Sequence, residues 1–291
     1  MSLLVTTASG RTWVVDARTG HAEIAPIIGG VSVGDGLGPA TVDGHLVFNI
    51  GHVVSAAPVG DLASSRSVGD GRYFLPAGDG TVWLVTTDPD SDRFSAEQVD
   101  LDGHPIRSLQ GVGWPEAATS DGVVVQSSHG VQVISARPNA CREFGGADLL
   151  GAAGSMVAVC VNECSEILLS GRDQSDLLRL PGNLRAIPST GAVAADGSAV
   201  AVSVEAGKAA RLAVVSVTET MTRIADVKLD SHGERPVWDA GARWLYNSTA
   251  DGGLAAVRAR DGAVARIHVA KPADWEGPGP VMLAYLGAGT S

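Results

Sequence analysis

The chain has 291 residues, 45% of them hydrophobic but only 4% aromatic, with 37 glycines and 14 prolines. The 32 acidic residues against 21 basic ones leave a net charge of −11; a surface of that sign repels phosphate backbones, which argues against nucleic acid and anionic membranes as partners. No run of 18 apolar residues occurs and no basic-then-apolar leader precedes the first β-rich run, so the chain as given reads as soluble, with neither a membrane span nor a signal peptide expected.

Three β-rich runs open the chain, residues 3–7 (LLVTT), 11–17 (RTWVVDA) and 21–27 (HAEIAPI), joined by tight turns at Ser9-Gly10 and Thr19-Gly20. From there an Asp-Gly or Ala-Gly turn signal recurs, ending at Gly44, Gly80, Gly122, Gly154, Gly197 and Gly241, in steps of 36, 42, 32, 43 and 44 residues. Each signal separates a run rich in small residues from a β-rich one, as in GAVAADG (191–197) followed by SAVAVSV (198–204). A period of about 40 residues with four strands per unit marks a β-propeller blade. The expected fold class is therefore all-β: a seven-bladed β-propeller of four-stranded antiparallel blades, with residues 1–291 as a single domain. The first blade is entered one strand late. After the last outer strand, residues 263–270 (AVARIHVA), a Pro-rich link leads to 281–286 (VMLAYL), which fits the missing innermost strand of the N-terminal blade. Closure by both termini removes the unpaired edges that would template aggregation.

Local chemical motifs are sparse. Gly30-Val31-Ser32-Val33-Gly34 matches G-x-S-x-G, but a nucleophile elbow needs a strand before it and a helix after it, and Asp-Gly-Leu-Gly-Pro follows. H-E-x-x-H, Walker A and paired C-x-x-C are absent, and the seven histidines are scattered over different blades. Asp88, Asp90 and Asp92 alternate as the first three ligands of a calcium loop do, so Ca2+ is a candidate cofactor there. Position six of that loop is Arg93 rather than Gly and position twelve is Val99 rather than Glu, so a solvated hairpin loop is the other reading.

In a propeller, the links into each inner strand and the middle hairpins share one face, here called the upper face. It is expected to carry Asp35, Arg72, Trp114, Glu116, Arg185, Glu234, Arg235, Trp275 and Glu276. Trp and Arg anchor partners because they bury large area while keeping a directional polar group. The binding set drawn from these is Trp114, Glu116, Arg235 and Trp275, against the alternative that such tryptophans pack between blades.

Residues 195–204 (ADGSAVAVSV) resemble the [SA]-x-D-G-x-x-[ILV]-A stretch of TolB-like and WD40-like propeller repeats. Residues 11–20 (RTWVVDARTG) and 158–171 (AVCVNECSEILLSG) resemble repeats of uncharacterised actinobacterial propeller proteins, many of them secreted or membrane-anchored. The pattern departs from WD40 proper, because Gly51-His52 and Gly103-His104 lack a Trp-Asp at the proper distance, and kelch double glycines are absent. Cys160 and Cys164 flank a three-residue connection that would set them opposite each other across a hairpin, and spacing together with the resemblance points to a disulfide, leaving Cys141 unpaired. A disulfide and the resemblance imply an extracytoplasmic or cell-envelope location, whereas the missing leader fits a cytoplasmic one with reduced thiols.

Two function classes follow. One is a non-catalytic binding or scaffold propeller taking a protein, peptide or glycan on its upper face. The other is an enzyme, a hydrolase, lactonase or lyase, with an axial site. The second needs convergent acid, base or metal ligands near the axis. Inner strands rich in Ala, Gly, Val, Leu and Pro supply few of these, which favours binding.

Overall fold

Alternating Val-rich strands and Gly turns give seven antiparallel sheets arranged as a seven-bladed propeller in the computed structural model. It describes residues 1–27, 31–32, 38–88, 90–207, 209–217, 221–229, 235–275, 280 and 282–287. Blade 2 shows the plan: Ala40–Val42 lies innermost, followed outward by His45–Ile50, Val53–Pro58 and Arg66–Asp70. The recurrent turn signals all join an innermost strand to the next one out. At Asp43-Gly44 both residues have positive φ, 44° and 71°, the backbone a two-residue hairpin between Val42 and His45 requires.

Blade 1 closes the ring as expected. Met282–Gly287 runs antiparallel to Ser2–Thr6, with Leu283 opposite Val5, and Thr12–Asp16 and Ala22–Ile24 complete the sheet outward. Val281, the first residue of the expected strand, lies outside the described residues. A parallel bridge between His21 and Ala270 and a hydrogen bond from Ala270 N–H to Gly20 O tie the outer edge of blade 1 to the segment leaving blade 7.

Apolar side chains fill the spaces between blades. Leu3, Trp13, Tyr246 and Leu254 pack where blades 7 and 1 meet, and Leu150, Ile167, Val202 and Val204 where blades 5 and 6 meet. Small residues let the inner strands crowd together at the centre: a Cβ on Gly151 would stand 2.6 Å from the Gly191 carbonyl oxygen of the next blade.

The structure departs from the sequence reading at three places. The inner strand of blade 4 is Trp114–Ala118, so Trp114 and Glu116 sit in the strand itself rather than in the link before it. The inner strand of blade 6 is split into Arg185–Ala186 and Ala192–Val193, both paired with Ala199–Ala206, because Pro188 interrupts it and Ser189 takes a left-handed φ of 59°. The Cys160–Cys164 disulfide forms, but Cys160 faces Ile167 in the ladder and the second strand starts only at Glu166. Asn162, Glu163 and Cys164 have φ of 52°, 54° and 60°, so the chain curls through a left-handed turn that brings the two Cα atoms to 4.6 Å.

Candidate functional site

The innermost strands enclose a cavity of about 830 Å³ to which all seven blades contribute, small residues such as Ala40 and Ala152 lining it together with the larger Trp238, Met282 and Tyr285. Ala40, Pro76, Ala118, Ala152, Val193 and Ala284 give its wall an apolar surface. Charge is confined to its ends.

At the upper end, Arg235 enters from the start of blade 7. Its Nε donates to Ser189 O at 2.9 Å and its Nη1 to Glu116 O at 3.3 Å, while the Ser189 hydroxyl donates to Glu116 Oε2 at 2.9 Å. Three blades thus meet in one polar knot. Desolvation holds the Arg235 guanidinium below its ordinary pKa, with Glu116 acting in the opposite direction. The break in the blade 6 inner strand places Ser189 here, a residue the sequence reading missed. Its signal was the sequence Pro188-Ser189-Thr190-Gly191, which cannot continue a strand.

Further out on the same face, Trp114 stacks on the buried Tyr73 with ring centroids 5.9 Å apart, and Tyr73 OH donates to Pro115 O at 2.8 Å. Arg72, on the link into blade 3, sets its guanidinium 5.2 Å from the Trp114 ring and donates to Thr87 Oγ1 at 3.1 Å. Trp114 stays 41% exposed and Val112, two residues earlier, 64% exposed, so this corner presents apolar surface held in place by polar contacts.

Trp275 belongs elsewhere. It stacks on Trp13 with centroids 5.6 Å apart and packs into the cluster joining blades 7 and 1. The sequence-derived set therefore divides: Glu116 and Arg235 meet at the mouth, Trp114 stands beside them on the face, and Trp275 is inter-blade packing. Arg185 braces the blade 5 hairpin through Glu163, at 2.6 Å to its carbonyl and 3.1 Å to its carboxylate. Asp35, Glu234 and Glu276 lie outside the described residues.

At the lower end, Asp43, Asp196 and Asp239 border the cavity. Asp196 accepts the Ser198 N–H and hydroxyl at 3.0 and 2.6 Å, which hold its carboxyl below the usual carboxylate range; the buried Asp239 accepts the N–H groups of Arg243 and Trp244 at 2.6 and 3.0 Å. Two of the three thus cap their own turns. Among the described residues, the groups of three potential metal ligands whose donor atoms lie within 4.8 Å of one another are Asp100–Asp102–His104 and Asp148–Cys160–Cys164, neither of them axial. Asp88, Asp90 and Asp92 are not gathered in this way: the Asp88 carboxylate instead accepts the Ser91 hydroxyl at 2.7 Å and the Asp90 N–H at 3.0 Å. Of the G-x-S-x-G stretch, Gly30, Val33 and Gly34 lie outside the described residues, and Ser32 Oγ accepts the Gly51 N–H at 2.9 Å as a brace on blade 2.

No known protein family and no curated protein matches the sequence. Solved structures do match in shape. AztD from Citrobacter koseri aligns over 97% of both chains with a TM-score of 0.57 and 13% identity. A provisionally assigned 6-phosphogluconolactonase from Bacteroides uniformis aligns over 97% of this chain and 98% of its own, with a TM-score of 0.55 and 12% identity. A protein of unknown function from Desulfotomaculum acetoxidans aligns over 92% of this chain and 99% of its own, at 0.51 and 14%. Likeness at such identities supports the propeller fold and nothing finer.

Proposed function

We propose that the protein is a non-catalytic binding propeller of the cell envelope or exterior that takes a protein, peptide or glycan partner on its upper face. Trp114, flanked by Val112 and Arg72, is the anchor, and Glu116 with Arg235 at the cavity mouth supplies the polar contact. The observation that carries this reading is the half-exposed Trp114 ring fixed on Tyr73 beside Arg72. A rigid aromatic with a cation at its ring gives a partner buried area and orientation with little side-chain entropy left to lose. The disulfide supports an oxidising compartment. The TolB-like and WD40-like character of residues 195–204 agrees with a propeller used as a platform.

An axial hydrolase, lactonase or lyase is the competing reading, and three carboxylates do border the lower cavity. Two of them are spent on turn capping and the cavity gathers no triad of ligands, so proton transfer and metal activation lack a convergent group among the described residues. Glycan and peptide arrays probed with wild type and with a Trp114→Ala/Arg235→Ala variant test the proposal. Binding by the wild type that the variant loses, with no turnover in lactone, ester and glycoside screens, supports it. Turnover abolished by Asp43→Asn or Asp196→Asn contradicts it.

A further inference from the structure

At the upper end of blade 5, in addition to the partner face, we propose a redox-gated metal site: once the disulfide is opened, Asp148, Cys160 and Cys164 bind one thiophilic divalent cation of the Zn2+ class. The donor atoms of these three residues lie within 4.8 Å of one another. Asp148 is the ladder partner of Cys160, and Asp148 Oδ2 stands 3.9 Å from Cys164 Sγ. On a tetrahedral zinc with bonds of about 2.0 Å to oxygen and 2.3 Å to sulfur, those two ligand atoms would be about 3.5 Å apart, so that pair is close to its bound spacing, while the two sulfurs must separate from bonding distance to about 3.8 Å once the disulfide opens.

The carboxylate is already aimed. Gln126 of blade 4 accepts the Leu149 N–H through Oε1 at 2.7 Å, and its Nε2 is shared among Ser127 O at 3.2 Å, Ala147 O at 3.4 Å and Asp148 Oδ1 at 3.5 Å, while Oδ2 faces the sulfur. Outer partners of this kind orient metal ligands. The turn that carries Cys164 is held by bonds that reduction leaves in place. Ala186 N–H donates to Cys164 O at 2.8 Å, the Ser165 N–H and hydroxyl both donate to Asn162 O, Leu180 N–H donates to Ser165 O at 3.0 Å, and Arg185 donates to Glu163 O. Leu150, Ile167 and Ala186 pack around Cys160 and keep that side of the site apolar.

Opening the site consumes two electrons and two protons from a thiol reductant: the sulfur–sulfur bond breaks and two thiols form. The cation then displaces both thiol protons to solvent, forming two metal–sulfur bonds, with the Asp148 carboxylate as third ligand and water as the fourth. In the oxidised chain the sulfurs bind each other, so disulfide and metal exclude one another.

The test uses the full chain carrying Cys141→Ser, which removes the exposed free thiol from the readout. Cd2+ is titrated into the oxidised and the phosphine-reduced protein while thiolate-to-metal charge-transfer absorbance is followed, and Zn2+ binding is measured by calorimetry. One equivalent on the reduced protein and none on the oxidised one is the expected result. Asp148→Asn should weaken binding by at least about tenfold, and Cys164→Ser should abolish the two-thiolate band. A reduced protein with native circular dichroism and no band, equal affinity in Asp148→Asn, or loss of fold on reduction alone overturns the proposal; the last would mean that the anchoring bonds do not hold the turn.

Discussion

Replacing Trp275 by alanine takes away the ring stacked on Trp13 at the joint of blades 7 and 1, and should cost about 3 kcal/mol, read as a lower urea midpoint. The same change at Trp114 removes a half-exposed ring and one aromatic pair, so the expected cost is about 1 kcal/mol, with partner binding lost instead. Equal destabilisation by the two substitutions would put Trp114 in the packing. The turn carboxylates predict the acid limb of stability. Asp196 is held low chiefly by the Ser198 hydroxyl, Asp251 chiefly by the Thr249 hydroxyl, and Asp16 chiefly by the Arg18 N–H. Their folded pKa values lie below the unfolded value of about 3.9, so the stabilisation is complete above that pH and is lost as pH falls through the folded values. Urea midpoints should therefore drop between pH 5 and pH 2.5, and a Ser198→Ala/Thr249→Ala variant should show a smaller drop than wild type.

The element that closes the ring is the strand Met282–Gly287, paired along Ser2–Thr6 and burying Leu283, Ala284 and Leu286. Truncating the chain after Gly277 exposes that edge of blade 1 and uncovers apolar surface, so the shortened protein should lose several kcal/mol at about 25 cal/mol per Å². Unchanged thermal melting would contradict the closure. The Cys160–Cys164 bridge closes a very short loop and should contribute about 2 kcal/mol, and alkylation without reduction should label Cys141 alone. The blades were legible in sequence because a tight turn needs Gly or Asp at a fixed place and propellers repeat it. The left-handed turn at 162–164 was not, and the break in the inner strand of blade 6 was signalled by Pro188 but its left-handed Ser189 was not. Neither carries glycine where φ turns positive, and both conformations are imposed by contacts with neighbouring elements, such as Ser189 N–H to Leu149 O at 2.7 Å. Trp114 and Trp275 were indistinguishable for a related reason: both stand next to a link into an inner strand, and only the assembled ring decides which one meets solvent.

For the molecule as a whole, the seven inner strands leave an axial cavity whose upper mouth holds the Arg235 guanidinium and whose lower end is bordered by Asp43, Asp196 and Asp239, and the proposed partner face lies around that upper mouth. Arg235 links blades 4, 6 and 7 around that mouth, so Arg235→Ala, which leaves the Glu116 and Ser189 groups unmatched, should lower stability by about 1–3 kcal/mol as well as weaken binding. Trp114→Ala separates the two effects, because its ring serves the surface more than the core. The most direct measurement is therefore the dissociation constant of one array-identified partner for wild type and for Trp114→Ala at matched folded fraction. A rise of about thirtyfold, the weight of a single central anchor, is the predicted result; an unchanged constant would contradict the upper-face binding site.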